Sequence, residues 1–243
     1  SMVTIIKDLL VAALQPSSSL HTMSSLAQLC ADLAPWASTV VFLAPIPTIQ
    51  KIRSDRAVGS LPLLPYTSMI SSSFLWTVYG VLQQEYRLWS TNGVGLILGL
   101  SYFYSFVQHS PSASVTLPGS VKQHLQFILA IVVSTVGLST FLDAELAAQI
   151  IGLGGVCGAV AMFASPLSVL KVVMEKRSAA AIPLPFTVAS LVNCFLWCVS
   201  GIFVMKDWNV TVPNVLGFLC SAAQLALKIT YGDGPRGGSE LPK

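Results

Sequence analysis

Seven long apolar stretches, separated by short polar breaks, constrain the fold of this chain more than any other feature. They lie at about 27–50, 63–83, 88–108, 123–142, 147–170, 184–205 and 209–231. A helix needs roughly 20 mostly apolar residues to cross the hydrocarbon core of a bilayer. Only 9% of the 243 residues are charged, whereas a soluble domain carries about a quarter. The sequence therefore predicts an all-α membrane protein with seven transmembrane helices.

The basic residues lie mostly on one side of the predicted membrane. The chain has 13 Lys and Arg residues, and only Lys7, Arg87 and Lys206 fall on the side opposite the others. Because basic loops remain in the cytosol, we expect the N-terminus outside and the C-terminus in the cytosol. The plasma membrane is the expected location, with an internal membrane as the alternative.

The first three stretches are repeated in the last three. FLAPIPTIQKI (42–52) matches FASPLSVLKVV (163–173), FLWTVYG (74–80) matches FLWCVSG (195–201), and STNGVG (90–95) matches VPNVLG (212–217). Pro, Trp and Asn recur in the same order, which chance similarity between apolar helices does not explain. A repeat of three spans would invert if joined directly, and the fourth span restores the parallel orientation. Transporters use such parallel repeats, so we predict two three-helix bundles joined by a linker helix, a 3+1+3 arrangement.

The repeat also gives the predicted domain boundaries. They are an N-terminal extension at 1–25, a first repeat at 26–109, a loop and linker helix at 110–145, a second repeat at 146–231 and a disordered cytosolic tail at 232–243. Within the extension, Ser1-Met2 resembles an expression remnant, and residues 4–14 are a candidate surface helix because they are too short to span a bilayer.

Two tryptophans and two asparagines recur at matching positions and predict a binding cavity. A helix rises about 1.5 Å per residue, which places Trp76, Trp197, Asn92 and Asn214 in the outer-to-middle part of the membrane. An indole plane packs on the C–H face of a sugar ring, and a carboxamide pairs with hydroxyl groups. An Asn side chain facing lipid would be costly. Packing or interfacial anchoring is the alternative role for the tryptophans, but we expect all four residues to share one cavity.

The sequence resembles the SWEET family of sugar transporters over about residues 27–231. The blocks that carry the resemblance are LAPIP, FLWTVYG and TNG in the first repeat, and MFASPLS, KRSAAAIP, FLWCVSG and VPN in the second. The resemblance implies a transporter and no enzyme activity. It further implies that the sugar pocket includes Ser72 and Asn193, which lie one helical turn before each Trp, and Val41 and Met162. Met162 resembles the residue at this position in monosaccharide-preferring members, whereas Val41 indicates the opposite preference. Of the two, we follow Met162 and expect a hexose.

The resemblance also implies hinges and a gate. The expected hinge prolines are Pro45, Pro65, Pro166 and Pro183, towards the cytosolic ends of their helices. Pro47, Pro62 and Pro185 are alternatives, and some of these prolines only begin a helix, where proline is tolerated. At the outer end, the expected gate is Tyr79 facing Ser200 and Gly201, where family members often carry a second Tyr in place of Ser200.

We expect transport to be uncoupled, bidirectional facilitated diffusion by alternating access. Proton-coupled carriers place acids or histidines inside the membrane, and Asp32 is the only such acid here, which we interpret as a solvated residue near a helix start. The expected partners are a small-molecule sugar and the lipid bilayer, without nucleic acid, cofactor or metal, and homo-oligomerisation stays open. The alternatives are a carrier for amino acids or organic acids, which would need a basic residue in the cavity, and a seven-helix receptor, which would lack the repeat.

Overall fold

The structure is a computed structural model, and it describes residues 18–110, 120–162 and 164–234, without the side chains of 18–23 and 164–166. These residues form helices and turns. The helices are α1 (Ser18–Leu43), α2 (Ile46–Asp55), α3 (Leu64–Leu82), α4 (Tyr86–Gln108), α5 (Val121–Phe141), α6 (Ala144–Met162), α7 (Ala164–Lys176), α8 (Leu184–Val199), a π-helix (Ser200–Met205) and α9 (Trp208–Tyr231).

Each repeat forms a three-layered bundle in which the third segment lies between the first and the second. In the first repeat, α4 packs against α1 and α2 on one side and against α3 on the other. In the second repeat, α9 packs in the same way between the α6–α7 pair and α8. The two bundles therefore have the same internal order, as the repeated sequence blocks predict.

The two repeats meet through a pair of equivalent interfaces. Helix α1 of the first repeat packs against α8 of the second, and α3 of the first packs against α6 of the second. Helix α5 packs against α3 and α6 and so bridges the two bundles. The predicted all-α, 3+1+3 architecture is confirmed.

Five helical segments within the described residues have both the length and the hydropathy of a membrane span. They are Ser24–Asp55, Val121–Phe141, Ala144–Lys176, Leu184–Met205 and Trp208–Tyr231. Helices α3 and α4, of 19 and 23 residues, are long enough to span, but their Ser, Thr and Tyr residues lower the mean hydropathy. Several of those polar residues are buried between helices rather than turned to lipid.

The predicted ends of the first and fifth spans, 50 and 170, were wrong. Helix α2 continues to Asp55 and α7 continues to Lys176. Their charged residues resembled loops, but they lie on helices that run past the apolar region. Lys51 pairs with Asp55 at 2.7 Å, and a Lys–Glu pair occupies the same spacing in α7. Such i,i+4 pairs support a helix.

The chain termini differ in part from the predicted boundaries. Helix α1 begins at Ser18, inside the predicted extension at 1–25. At the other end, residues 232–234 are described, and the backbone N–H of Ala179 donates to the carbonyl of Gly232 at 2.8 Å. The candidate surface helix at 4–14 and residues 235–243 of the predicted tail lie outside the described residues.

The two ends of the bundle differ in how the repeats pack. The tyrosine end holds Tyr79, Glu85 and Asp207, and the proline end holds Pro45 and Pro183. At the tyrosine end, side chains from both repeats form one buried apolar cluster, which contains Ala34, Tyr79, Leu88, Ala147, Ala148, Ile151, Trp197 and Val210. At the proline end, each repeat has its own cluster. The repeats are therefore packed together at the tyrosine end.

Candidate functional site

The tyrosine end is closed by hydrogen bonds between the repeats. The Tyr79 hydroxyl donates to Asp207 Oδ2 at 2.7 Å and accepts from Asn209 Nδ2 at 3.1 Å. Tyr79 is only 2% exposed. Its ring meets the Trp76 ring edge to face, with 5.5 Å between centroids. Tyr79, which the family resemblance implied as a gate, thus bonds to the start of α9 rather than to Ser200.

Gly201 has a packing role in this structure. A Cβ added to it would lie 2.5 Å from Thr211 Oγ1. The equivalent residue of the first repeat, Gly80, would meet the backbone nitrogen of Trp89 at 2.7 Å. Each glycine permits the second and third helices of its repeat to approach closely. This explains why the glycine that ends FLWTVYG is repeated in FLWCVSG.

Trp197 lies in a hydrogen-bonded chain between the repeats. Its Nε1–H donates to Ser38 Oγ at 2.7 Å, and the Ser38 hydroxyl donates to Asn193 Oδ1 at 2.7 Å. Trp197 is 4% exposed. These two hydrogen bonds join α1 of the first repeat to α8 of the second. Ser38 was missing from the sequence prediction, because its partners are more than 150 positions away.

A cavity of about 430 Å³ lies mainly inside the second repeat. The described residues that line it include Trp76 and Asn214, together with Ala159, Val169, Ala181, Pro183, Phe186, Ser190, Cys194, Pro213, Gly217, Cys220, Ser221 and Gln224. None of these carries a formal charge. The lining runs along α9 from Pro213 to Gln224, which is roughly 16 Å of helix, and reaches Ala181 and Pro183 at the proline end.

The structure brings together only two of the four residues that were expected to share a cavity. Trp76 and Asn214 line it, whereas Trp197 and Asn92 are not among its lining residues. The two asparagines are nevertheless held alike. Asn92 Nδ2 donates to the Leu88 carbonyl at 2.9 Å, and Asn214 Nδ2 donates to the Val210 carbonyl at 2.8 Å. One N–H of each amide is therefore engaged within its own helix, which restricts how the amide can turn.

The remaining expected pocket residues lie outside this cavity. Ser72 and Val41 are half-buried. Asn193 accepts the hydrogen bond from Ser38. Met162 is the last residue of α6 and is 50% exposed.

Three of the expected hinge prolines, Pro45, Pro65 and Pro183, lie at helix starts rather than inside helices. Pro45 precedes α2 at the break after α1, and Pro183 precedes α8. Pro65 is in the first turn of α3. Pro166 lies three positions after residue 163, which is outside the described part of the chain, so its place relative to a helix start is not assigned. A proline in the first turn costs no hydrogen bond. The alternatives Pro47 and Pro185 are also in first turns, and Pro62 precedes α3.

Among the described residues, two prolines that the sequence prediction missed as hinges lie beyond the first turn of their helices. Pro35 lies within α1 and Pro213 within α9. Thr39 and Thr91 both donate through Oγ1 to the Pro35 carbonyl, at 2.9 and 3.2 Å. A proline inside a helix removes one backbone hydrogen bond and kinks the helix. The sequence could have indicated both kinks, because each proline lies within a predicted apolar span.

The interpretation of Asp32 as a residue near a helix start was wrong. Because α1 begins at Ser18, Asp32 lies well inside the helix. Arg87 donates to Asp32 Oδ1 through Nε at 3.0 Å and Nη2 at 2.8 Å. Arg87 also pairs with Glu85 at 3.2 Å. The Asp32 carboxylate is therefore neutralised by a partner at the tyrosine end.

Comparisons with known proteins agree with this architecture. A protein family described as "Sugar efflux transporter for intercellular exchange" matches residues 29–114 and 149–235. The bidirectional sugar transporter NEC1 of Petunia hybrida is 30% identical over 205 residues, covering 82% of this chain and 74% of that protein. The bidirectional sugar transporter SWEET4 of Oryza sativa is 30% identical over 201 residues, covering 79% and 74%.

A solved structure has the same fold. A eukaryotic SWEET transporter superposes with a TM-score of 0.75 at 23% sequence identity, covering 85% of this chain and 98% of that one. The family match spans both repeats and more than half of the chain. The chain is an integral membrane protein that belongs to the SWEET family, whose members are transporters and not enzymes.

Proposed function

We propose that this chain carries a sugar across the membrane by uncoupled, bidirectional facilitated diffusion. The observation that supports this most directly is the uncharged cavity that Trp76 and Asn214 both line. An indole offers an apolar face for the C–H groups of a sugar ring, and an amide offers a donor and an acceptor for its hydroxyls. The NEC1 and SWEET4 relatives are themselves named bidirectional sugar transporters.

The absence of charge in the lining argues against the alternative substrates. An amino acid or an organic acid carries a carboxylate, which would need a cationic partner in a water-poor site. None of the described residues that line the cavity is Lys, Arg or His. A neutral polyhydroxylated substrate suits this lining better.

We further propose alternating access between the two repeats. The tyrosine end is packed and hydrogen-bonded through Tyr79 and Asp207, while the cavity lining reaches Pro183 at the proline end. In the opposite state the Tyr79 contact breaks, and the helices that begin at Pro45, Pro65 and Pro183, together with α7, which contains Pro166, close the proline end. The Ser38–Trp197 contact lies between the repeats and is the natural pivot for such rocking.

Three finer points belong to the same proposal. A hexose is the favoured substrate, on the resemblance at Met162, with a disaccharide as the alternative. The proline end faces the cytosol and the membrane is the plasma membrane, on the distribution of basic residues. Protease accessibility of a C-terminal tag in sealed cells checks the orientation, and cross-linking in membranes checks whether the chain forms a homo-oligomer.

Uptake of labelled glucose, fructose and sucrose into proteoliposomes tests the transport proposal. Equal uptake with and without a pH gradient is expected, because no proton relay is assigned. Trp76→Ala and Asn214→Ala should each reduce uptake severely, whereas Val215→Ala, exposed beside Asn214 on α9, serves as the matched control. Failure of the unsubstituted chain to move any of the three sugars, or full uptake by Trp76→Ala with Asn214→Ala, would refute the proposal.

A further inference from the structure

The cavity extends well beyond Trp76 and Asn214 towards the proline end, within the second repeat alone. Its walls there are Phe186 and Ser190 on α8 and Cys220, Ser221 and Gln224 on α9. At about 430 Å³ in total, the cavity falls in the range of roughly 300–1,000 Å³ that small-molecule sites occupy. The part of the cavity lined by these five residues is the inner chamber.

In the described part of the first repeat, larger side chains stand at three of the five positions equivalent to the inner chamber. Aligning the repeats places Ser190 at Met69, Cys220 at Leu98, Gln224 at Tyr102 and the neighbouring Thr187 at Tyr66, whereas Phe186 and Ser221 lie at the smaller Pro65 and Gly99. Tyr66 and Tyr102 are buried, with ring centroids 6.1 Å apart, and Tyr66 also packs on Phe106 at 5.7 Å. Two buried tyrosine rings thus stand in the first repeat where the second has the smaller Thr187 and Gln224.

The residues that hollow out the second repeat are also polar. Ser221 Oγ donates to Ser190 Oγ at 3.2 Å, and Thr187 Oγ1 donates to Gln224 Oε1 at 3.5 Å. These hydroxyl groups and the amide lie between α8 and α9 at membrane depth. Polar groups in a membrane interior are costly unless they are hydrogen-bonded or line a wet cavity, and here they do both. Large side chains can fill the equivalent positions, as Tyr66 and Tyr102 do in the first repeat. The second repeat has smaller polar side chains there instead.

We propose that the inner chamber is a second sugar subsite, in which Ser190, Ser221 and Gln224 pair with hydroxyl groups and Phe186 offers an apolar face. Its ligand is a neutral polyhydroxylated molecule, since the chamber is uncharged. This inference rests on the proposed sugar transport. A sugar that leaves Trp76 and Asn214 towards the proline end binds next against the second repeat only, so the two repeats contribute unequally to the path.

Protection of Cys220 from a thiol reagent tests occupancy of the chamber directly. The other four cysteines, Cys30, Cys157, Cys194 and Cys198, are replaced by Ala, and the rate of modification by a small methanethiosulfonate reagent is measured in proteoliposomes. D-glucose should slow the reaction at Cys220, and KCl of equal osmolarity should not. The protection should persist in Asn214→Ala and weaken about fivefold in Gln224→Met, the change that one lost hydrogen bond produces.

The second test refills the chamber with the residues of the first repeat. Ser190→Met with Gln224→Tyr should reduce glucose uptake severalfold. The matched control is Val192→Met with Ala223→Tyr, which adds similar volume to exposed positions of the same two helices and should leave uptake unchanged. If the refilled chain fails to fold, the Cys220 experiment still decides the question, because protection by D-glucose is first measured with Ser190 and Gln224 in place.

The outcomes separate this inference from the transport proposal. Wild-type uptake of glucose together with unprotected Cys220, or with full uptake by the refilled chain, would overturn the subsite and leave transport standing. Protection that vanishes in Asn214→Ala would also overturn it, because the sugar would then act from the site at Trp76. No uptake of any sugar by the unsubstituted chain refutes transport itself.

Discussion

Alanine at Gly155 should disturb function, whereas alanine at Gly158 on the same helix should only stabilise the fold. A Cβ at Gly155 would lie 3.0 Å from Cε2 and Cζ2 of Trp76, while a Cβ at Gly158 would meet nothing within 4 Å. Ordinary carbon contacts are about 3.5–4.0 Å, so the Trp76 ring must shift by several tenths of an ångström. The indole that we assign to the sugar is therefore displaced by one methyl group.

The expected magnitudes differ in sign for the two substitutions. Replacing Gly by Ala inside a helix gains about 1 kcal/mol, and Gly158→Ala should keep all of it. Overpacking costs about 1–3 kcal/mol, so Gly155→Ala should range from no net change to a loss of about 2 kcal/mol. For a chain of this size, 1 kcal/mol corresponds to roughly 2–4 °C in melting temperature.

Thermal unfolding in detergent and glucose uptake in proteoliposomes measure the two effects separately. Gly158→Ala should melt a few degrees higher and transport normally. Gly155→Ala should melt between the temperature of the unsubstituted chain and about 8 °C below it, and should transport more slowly, with a raised KM because substrate contact is impaired. Normal uptake by Gly155→Ala would refute the assignment of Trp76, since its ring cannot stay in place beside the added methyl group.

Four further substitutions probe the contacts between the repeats and the buried Ser200. Tyr79→Phe removes the donor to Asp207, should cost about 1–3 kcal/mol, and should loosen the tyrosine end, as measured by its access to a hydrophilic label; unchanged access would contradict the gate. Ser200→Ala should raise the melting temperature, because the buried Ser200 hydroxyl has no hydrogen-bond partner among the described residues and leaving such a group unpaired costs about 1–3 kcal/mol. Trp197→Phe and Ser38→Ala should each lower stability, and the double variant should lose less than the sum of the two single losses; fully additive losses would contradict their shared hydrogen bond.

The architecture could be predicted from sequence because it depends on local signals. Span lengths follow from apolar runs, and the 3+1+3 order follows from rare residues that recur in the same order. Most predicted span ends agree with the helix ends to within three residues, as for α3 at Leu64–Leu82. The predictions were wrong where a helix outlasts its apolar run, as in α2, which ends at Asp55.

The candidate site was harder to predict because its geometry depends on contacts between the repeats. Trp76 and Trp197 have the same two residues before them in sequence, yet only Trp76 lines the cavity. Ser38 draws the Trp197 indole into the interface, and the equivalent position of the second repeat is Ala159, which offers Trp76 no hydroxyl. A residue-by-residue comparison of the repeats could have shown this difference, whereas a search for shared residues conceals it.

The second repeat has one residue more than the first between its repeated glycine and the start of its third helix, and this insertion explains the π-helix. Gly80 and Gly201 are 121 positions apart, but Glu85 and Asp207, which begin α4 and α9, are 122 apart. The backbone N–H of Glu85 donates to the Gly80 carbonyl at 2.8 Å, and that of Asp207 donates to the Gly201 carbonyl at 2.9 Å. The extra residue lies between these anchors, where Ser200–Met205 forms the π-helix. A π-turn accommodates an additional residue without moving either end.

Deletion of one residue should therefore be tolerated in the second repeat and not in the first. Removing Phe203, which is exposed in the π-helix, should restore α-helical spacing and leave Tyr79 bonded to Asp207. Removing Val81, exposed at the equivalent turn of α3, shortens a helix that has no extra residue and rotates the residues after it by about 100°. We expect the first deletion to melt near the unsubstituted chain and the second to melt much lower. Equal losses in melting temperature would contradict this explanation. They would mean that the fold requires the π-helix itself, and that the inserted residue determines the structure of the tyrosine end.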